Sequence, residues 1–205
     1  MLRDESLGDP ESRSAILFRR RFRVPYPFFV RLVEKVRQQG WLGSGGADAA
    51  GRPGIPLEAK VLPVLHILGR GTVLDDTFFM VGMSESTAWR VLHKFCKCFS
   101  QHVFKTWSGL PTNDEELQQT MEAYHRLEFK GAVGSTDVTH LSWNKCPMVD
   151  NRSYKGKEVF PTLAYEVSVD PSMHVLGGKC GFAGARNDKT IVRYDDIVVQ
   201  VRMNK

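Results

Sequence analysis

The amino-acid sequence predicts an α+β protein, with a helical N-terminal part followed by a C-terminal part that contains a sheet. Apolar residues recur at helical spacing between residues 57 and 103, whereas after residue 131 they alternate with polar ones as in a strand. A Gly- and Ala-rich stretch at 43–54 has the composition of a linker. We therefore expect three segments, at residues 1–54, 55–130 and 131–205.

The bulk composition limits the class of protein without fixing it. The net charge is +5 and 42% of the residues are hydrophobic, so a polyanionic partner is permitted but not required. The N-terminus is too charged for a signal peptide, and no stretch approaches the roughly 20 apolar residues of a membrane span. The four cysteines show no secreted-type spacing, which favours a reducing compartment.

The first segment begins with a polar, arginine-rich stretch and continues with a predicted amphipathic helix at residues 27–39. The arginines could bind phosphate or form a solvated tail. Because few contacts should cross a Gly/Ala linker, we expect residues 1–54 to be dispensable for folding of the rest.

The second segment shows three helical stretches. Residues 57–68 form an apolar run in which Pro63 should cause a kink, and a short helix is expected at 75–81. A third helix should begin after Ser84, because an apolar stripe then runs from Ala88 to Phe99. The tight joint at 82–84 is typical of a helix-turn-helix, whose last helix enters the DNA major groove.

The face opposite that stripe predicts a DNA contact. Its candidate DNA-binding residues are Ser86, Thr87, Arg90, Lys94 and Lys97. The basic members suit phosphates or a guanine edge, and the two hydroxyls stand near the helix start, where such helices touch bases. The alternative is an ordinary helical bundle with a solvated basic face.

The third segment predicts a sheet that carries a carboxylate. Strands are expected near 132–139, 162–169 and 176–182, the last two as a hairpin, with a polar helix before them at 114–128 and another helix after them at 189–199. Asp137 lies in the first strand, where a divalent metal ion is one partner that would rationalise a carboxylate. The alternative is an ordinary strand-end or edge residue.

Five short motifs resemble one family. They read GSTDVTH at 134–140, WNKCP at 143–147, YKGK at 154–157, PTLAYE at 161–166 and FAGARND at 182–188. In this order and spacing they resemble the catalytic core of PIF/Harbinger transposases, in particular the plant-type branch of the DDE superfamily. The resemblance extends over about residues 55–200.

The resemblance implies an RNase H-like mixed sheet and Mg²⁺- or Mn²⁺-dependent DNA cleavage and strand transfer. It makes Asp137 the first catalytic and metal-binding acid. Asp188 is either the second acid or the cap of a helix. The family's last acidic helix would come after residue 205, so we expect a C-terminally truncated chain with an incomplete metal site.

The resemblance also implies double-stranded DNA and a Myb-like protein as partners, and a nuclear location, and it leaves homo-oligomerisation open. Two alternatives remain. One is a catalytically inactive, domesticated or truncated DNA-binding remnant. The other is an unrelated helical adaptor with a small α/β domain.

Overall fold

The computed structural model describes residues 5–43, 46, 51 and 53–203 and confirms the α+β class. The chain forms two compact units, Met1–His102 and Val103–Lys205. Most of the expected linker at 43–54 lies outside the described residues. None of the described helices is long and apolar enough to cross a membrane.

The first unit is helical. Its elements are a 3₁₀ turn at Glu5–Gly8, α1 at Arg13–Phe22, α2 at Tyr26–Gln38, α3 at Leu57–Arg70, α4 at Asp76–Val81 and α5 at Glu85–Phe99. A π-helical turn at Ser100–Phe104 follows α5. The predicted helices therefore form where the apolar periodicity places them. The structure has one further helix, α1, that the sequence analysis did not predict.

Helix α1 forms in the stretch that could have been a solvated arginine tail. The Ser12 hydroxyl accepts a hydrogen bond from the Ala15 amide at 3.1 Å, which satisfies one of the free donors at the helix start. Phe18 and Phe22 are buried and their rings lie 4.7 Å apart, and Phe18 also contacts Phe29 of α2 at 5.5 Å. The apolar side of α1 is therefore part of a core.

Both N-terminal helices share that core with α3 and α5. α1 and α2 pack on α3, and Trp41, which follows α2, is buried with its ring 6.1 Å from that of Phe95 on α5. The boundary expected near residue 54 consequently lies inside the first unit. Residues 5–43 are integrated with the helices that the expectation assigned to a separate segment.

Helix α3 continues through Pro63 as one element of 14 residues. It ends at Gly71, whose φ of 66° is the left-handed conformation that favours glycine at a helix C-terminus. Gly82 ends α4 in the same way, with φ of 71°, and Ser84 precedes the first residue of α5. These turns bring α3, α4 and α5 into contact with one another.

The second unit combines a sheet with short helices. Its elements are α6 at Lys105–Trp107, α7 at Asp114–Arg126, β1 at Ser135–Ser142, α8 at Met148–Tyr154, β2 at Thr162–Val169, β3 at Val175–Ala183, α9 at Asp188–Val192 and α10 at Asp196–Met203. The predicted β2–β3 hairpin is confirmed. The single helix expected at 189–199 is instead two helices, interrupted at residues 193–195.

The sheet has the order β1-β2-β3 and is antiparallel at both pairings. The resemblance implied a mixed sheet, but no parallel pair occurs within the described part of the chain. α9 packs on β1 and α10 packs on β3. The sheet and these helices position the acidic residues described next.

Candidate functional sites

The side chain of Asp137 lies on the opposite face of β1 from Thr136 and His140, whose side chains form hydrogen bonds with β2. Its neighbour Thr136 bonds the Ser168 hydroxyl at 2.7 Å, and His140 Nδ1 bonds the Thr162 hydroxyl at 3.1 Å. These even-numbered residues of β1 therefore share one face with β2. Because strand side chains alternate, Asp137 lies on the opposite face, where it is exposed.

Asp188 lies in the first turn of α9. The helix cap is Asn187, whose side chain accepts a hydrogen bond from the Lys189 amide at 2.9 Å. Asp188 Oδ1 instead lies 3.5 Å from His140 Nε2, and its side chain remains 55% exposed. The cap expected at Asp188 is thus provided one residue earlier, and the carboxylate is free to contact β1.

Asp137 and Asp188 line one surface depression of about 410 Å³. Three cationic side chains, Lys189, Arg193 and Arg202, line the same depression. No group of three metal-binding side chains occurs anywhere in the described residues. Asp188 reaches the His140 face of β1 whereas the Asp137 side chain lies on the opposite face, so the depression does not bring the two carboxylates together. The cations that line it can attract a phosphate.

The predicted DNA-binding residues all lie on α5, and all of them except Thr87 are exposed. Ala88 and Phe95 are buried, whereas Arg90, Lys94 and Lys97 are exposed. The two hydroxyl residues differ. Ser86 is exposed, but Thr87 is half-buried and accepts hydrogen bonds from Ser84 at 3.0 Å and from Arg90 at 3.4 Å.

The positive charge on this face is not neutralised locally. Among the described residues, none of Arg90, Lys94 and Lys97 forms an ion pair. Trp89 is 52% exposed beside them, with its ring 4.2 Å from that of His93. The outer side of α5 therefore combines uncompensated cations with an accessible aromatic ring.

The sequence reasoning missed a buried pair of carboxyl groups. Glu166 of β2 and Asp195, just before α10, are each 1% exposed. The Ser168 hydroxyl lies 3.0 Å from Glu166 Oε1 and 2.5 Å from Asp195 Oδ2. Backbone amides complete the set, because Lys179 donates to Glu166 at 3.2 Å and Ile197 donates to Asp195 at 2.8 Å.

Glu166 keeps its proton to a higher pH than an exposed glutamate, because its pKa is raised. Burial raises the pKa of Glu166 to about 7, and the hydrogen bond with Asp195 and the charge of Asp195 add to the effect. One carboxyl group can then donate to the other, which links the middle of β2 to the start of α10. Gly177 of β3 makes room for this contact, because a Cβ atom there would lie 2.7 Å from Ile197 Cγ1 of α10.

The C-terminal half of the chain contains the sheet, both exposed acids and the buried pair. Residues 109–205 match the plant transposon protein family. This match supports a transposon-derived protein. Within the plant transposon protein region lie α7, the three strands, α9 and α10, so Asp137, Asp188, Glu166 and Asp195 all belong to it.

Helices α1 to α5 lie before the plant transposon protein region. No curated protein and no solved structure matches the chain.

Proposed function

We propose that the chain is a transposase-derived, double-stranded DNA-binding protein in which the outer side of α5 contacts the DNA. The observation that carries the proposal is the row of Arg90, Lys94 and Lys97, exposed on one side of the helix without ion pairs among the described residues. Cations in such a row neutralise DNA phosphates, and the counterions that this releases from the DNA favour binding.

The shape of α5 is compatible with this role. An α-helix fits the major groove, which is about 12 Å wide, and α5 extends over 15 residues with its apolar side held by α3. Ser86 lies in its first turn, where a hydroxyl can reach a base edge, and Arg90 follows one turn later. Thr87 is less available, because its hydroxyl already accepts hydrogen bonds from Ser84 and Arg90.

The test is the salt dependence of binding to a duplex of mixed sequence. Replacing Arg90, Lys94 and Lys97 by Ala should weaken binding and reduce the slope of log affinity against log salt by about 2.7, at about 0.9 for each lost phosphate contact. A matched control replaces three other cations, Arg31, Lys35 and Arg126, by Ala. Equal slopes for the α5 variant and the control would reject α5 as the contact.

The proposal extends to a metal site at Asp137 and Asp188, in which the Asp137 carboxylate would have to turn around the edge of β1 to reach Asp188. Their carboxylates are the hard oxygen ligands that Mg²⁺ and Mn²⁺ accept, with water completing the shell. A bound ion would polarise a phosphate oxygen and activate the attacking hydroxyl, as in metal-dependent cleavage and strand transfer of DNA. In the chain, Lys189, Arg193 and Arg202 would hold the DNA strand beside the ion.

A further inference from the structure

We propose that the depression between α1 and α3, which carries Arg20, Arg21 and Arg70, is a second contact for the phosphate backbone of DNA, separate from α5. Its lining residues are Leu17, Arg20, Arg21, His66, Arg70 and Thr72, and its volume is about 450 Å³. The inference rests on the proposal that DNA is the partner of this chain, but not on α5 being the element that contacts it.

The depression exists because the C-terminal ends of the two helices approach closely. Gly69 of α3 lies against Arg23, the residue that ends α1, and a Cβ atom at Gly69 would lie 2.8 Å from Arg23 Cγ. Phe22 is buried at this contact, with its ring 6.0 Å from that of His66. The packing brings the arginines of α1 next to Arg70.

Two acids lie near the arginines gathered there, Glu11 beside Arg19, Arg20 and Arg23 and Asp76 near His66, but they are outnumbered by six cations. Arg13, Arg19, Arg20, Arg21 and Arg23 are exposed on or at the end of α1, and Arg70 is exposed at the end of α3. None of these six forms an ion pair within the described ranges of the chain. The ends of the two helices supply only about half a negative charge each, which leaves a large positive excess.

The pKa of His66 responds to this excess of positive charge. Its Nδ1 lies 3.2 Å from the Thr72 hydroxyl. Burial, together with the positive charges of Arg70 and Arg21, lowers the pKa of His66, and Asp76 opposes the shift. A phosphate seated between the arginines would offset their charge and favour the imidazolium form. Binding should therefore raise the pKa of His66.

A DNA backbone suits this surface better than a single free phosphate does. Arg19 and Arg23 line a neighbouring depression that shares Arg20 with this one, so cationic side chains continue beyond it and can meet a further phosphate. Guanidinium groups bind phosphate oxygens in a bidentate manner, so several of them together both strengthen the binding of a DNA backbone and orient it.

The first test uses the full chain, a short duplex and the double variant Arg21→Ala/Arg70→Ala. Loss of two phosphate contacts should lower the salt slope by about 1.8, which reduces the fall in affinity between 50 and 200 mM salt by about tenfold. The charge-matched control is Arg31→Ala/Lys35→Ala, both on α2. A slope for Arg21→Ala/Arg70→Ala equal to that of the control would overturn the inference.

A second variant keeps the test decisive if the Ala variant does not fold. Arg21→Lys/Arg70→Lys keeps both charges and should keep the slope of the unaltered chain, while losing bidentate binding and with it several-fold affinity. If the Ala variant does not fold, a Lys variant with unchanged affinity contradicts the inference. If no duplex binds the unaltered chain, the proposed function fails as well. If only the α5 variant weakens binding, this inference fails alone.

The second test locates the phosphate by NMR titration of His66, whose signal is assigned with His66→Gln. Saturating duplex should raise its pKa in the unaltered chain and leave it unchanged in Arg21→Ala/Arg70→Ala. An unchanged pKa of His66 in the DNA-bound chain would overturn the inference. A rise with inorganic pyrophosphate but not with duplex would do so too, since it would indicate a site for a free phosphate ligand.

Discussion

Replacing Glu166 by Gln should stabilise the second unit at neutral and alkaline pH and leave it nearly unchanged in acid. Glu166 is buried against Asp195, so ionisation of both groups places two negative charges together in the interior. A Gln amide can donate to Asp195 as a protonated carboxyl group does. Its carbonyl oxygen can still accept from the Lys179 amide.

The size of the effect follows from the two pKa values. The pKa of Glu166 rises from its ordinary 4.5 to about 7 in the folded chain. At about 1.4 kcal/mol for each pH unit, this corresponds to about 3 kcal/mol. The unfolded chain loses the proton near pH 4.5, while the folded chain keeps it until about pH 7, so the stability of the folded chain decreases between these two values.

Glutamine does not titrate, so the advantage of Glu166→Gln should grow from about zero at pH 4.5 to about 3 kcal/mol above pH 7.5. Urea unfolding followed by NMR signals of β2 measures the second unit separately from the first. The matched control, Glu122→Gln, changes an exposed carboxylate and should shift stability by less than about 1 kcal/mol at either pH. A Glu166→Gln effect that is the same at pH 5 and pH 8 would refute the raised pKa of Glu166.

Two further predictions concern the exposed acid and the N-terminal core. The purified chain should bind Mg²⁺ weakly in a calorimetric titration, because Asp137 and Asp188 supply few oxygens to an ion that keeps its water, and Asp137→Asn should weaken binding further. A Mg²⁺-dependent nick in end-labelled DNA that Asp137→Asn abolishes would contradict the expected incomplete site. Phe18→Ala should destabilise the first unit by about 3–5 kcal/mol in thermal unfolding, since Phe18 is fully buried between α1 and α2, whereas Ile16→Ala on the exposed side should cost far less.

The regular elements could be predicted because their patterns are local. The alternation at 162–169 gives β2 with its observed bounds, and the glycines at 71 and 82 end α3 and α4. Helix α1 was missed because arginines outnumber its few buried apolar residues, Ala15, Phe18 and Phe22. The interruption at 193–195 was missed because the buried contacts of Asp195 are tertiary.

The candidate sites likewise divide into one that could be predicted from a local pattern and one that depends on tertiary contacts. The outer side of α5 follows from helical spacing, so the exposure of Arg90, Lys94 and Lys97 could be predicted. The alternation in β2 leaves open which face is buried, and here it is the face of Ala164, Glu166 and Ser168. Packing of α9 and α10 decides that choice, so the pairing of Glu166 with Asp195 could not be derived from the sequence.

Strand β1 pairs only with β2 among the described residues, so its other edge carries unpaired amide and carbonyl groups. Such an edge can add a strand from a second molecule, and a charged side chain within it opposes that association. Asp137 stands in the middle of β1, so its charge should oppose the addition of such a strand. Asp137→Asn removes this charge, so weaker Mg²⁺ binding by that variant has to be separated from self-association, for example by light scattering.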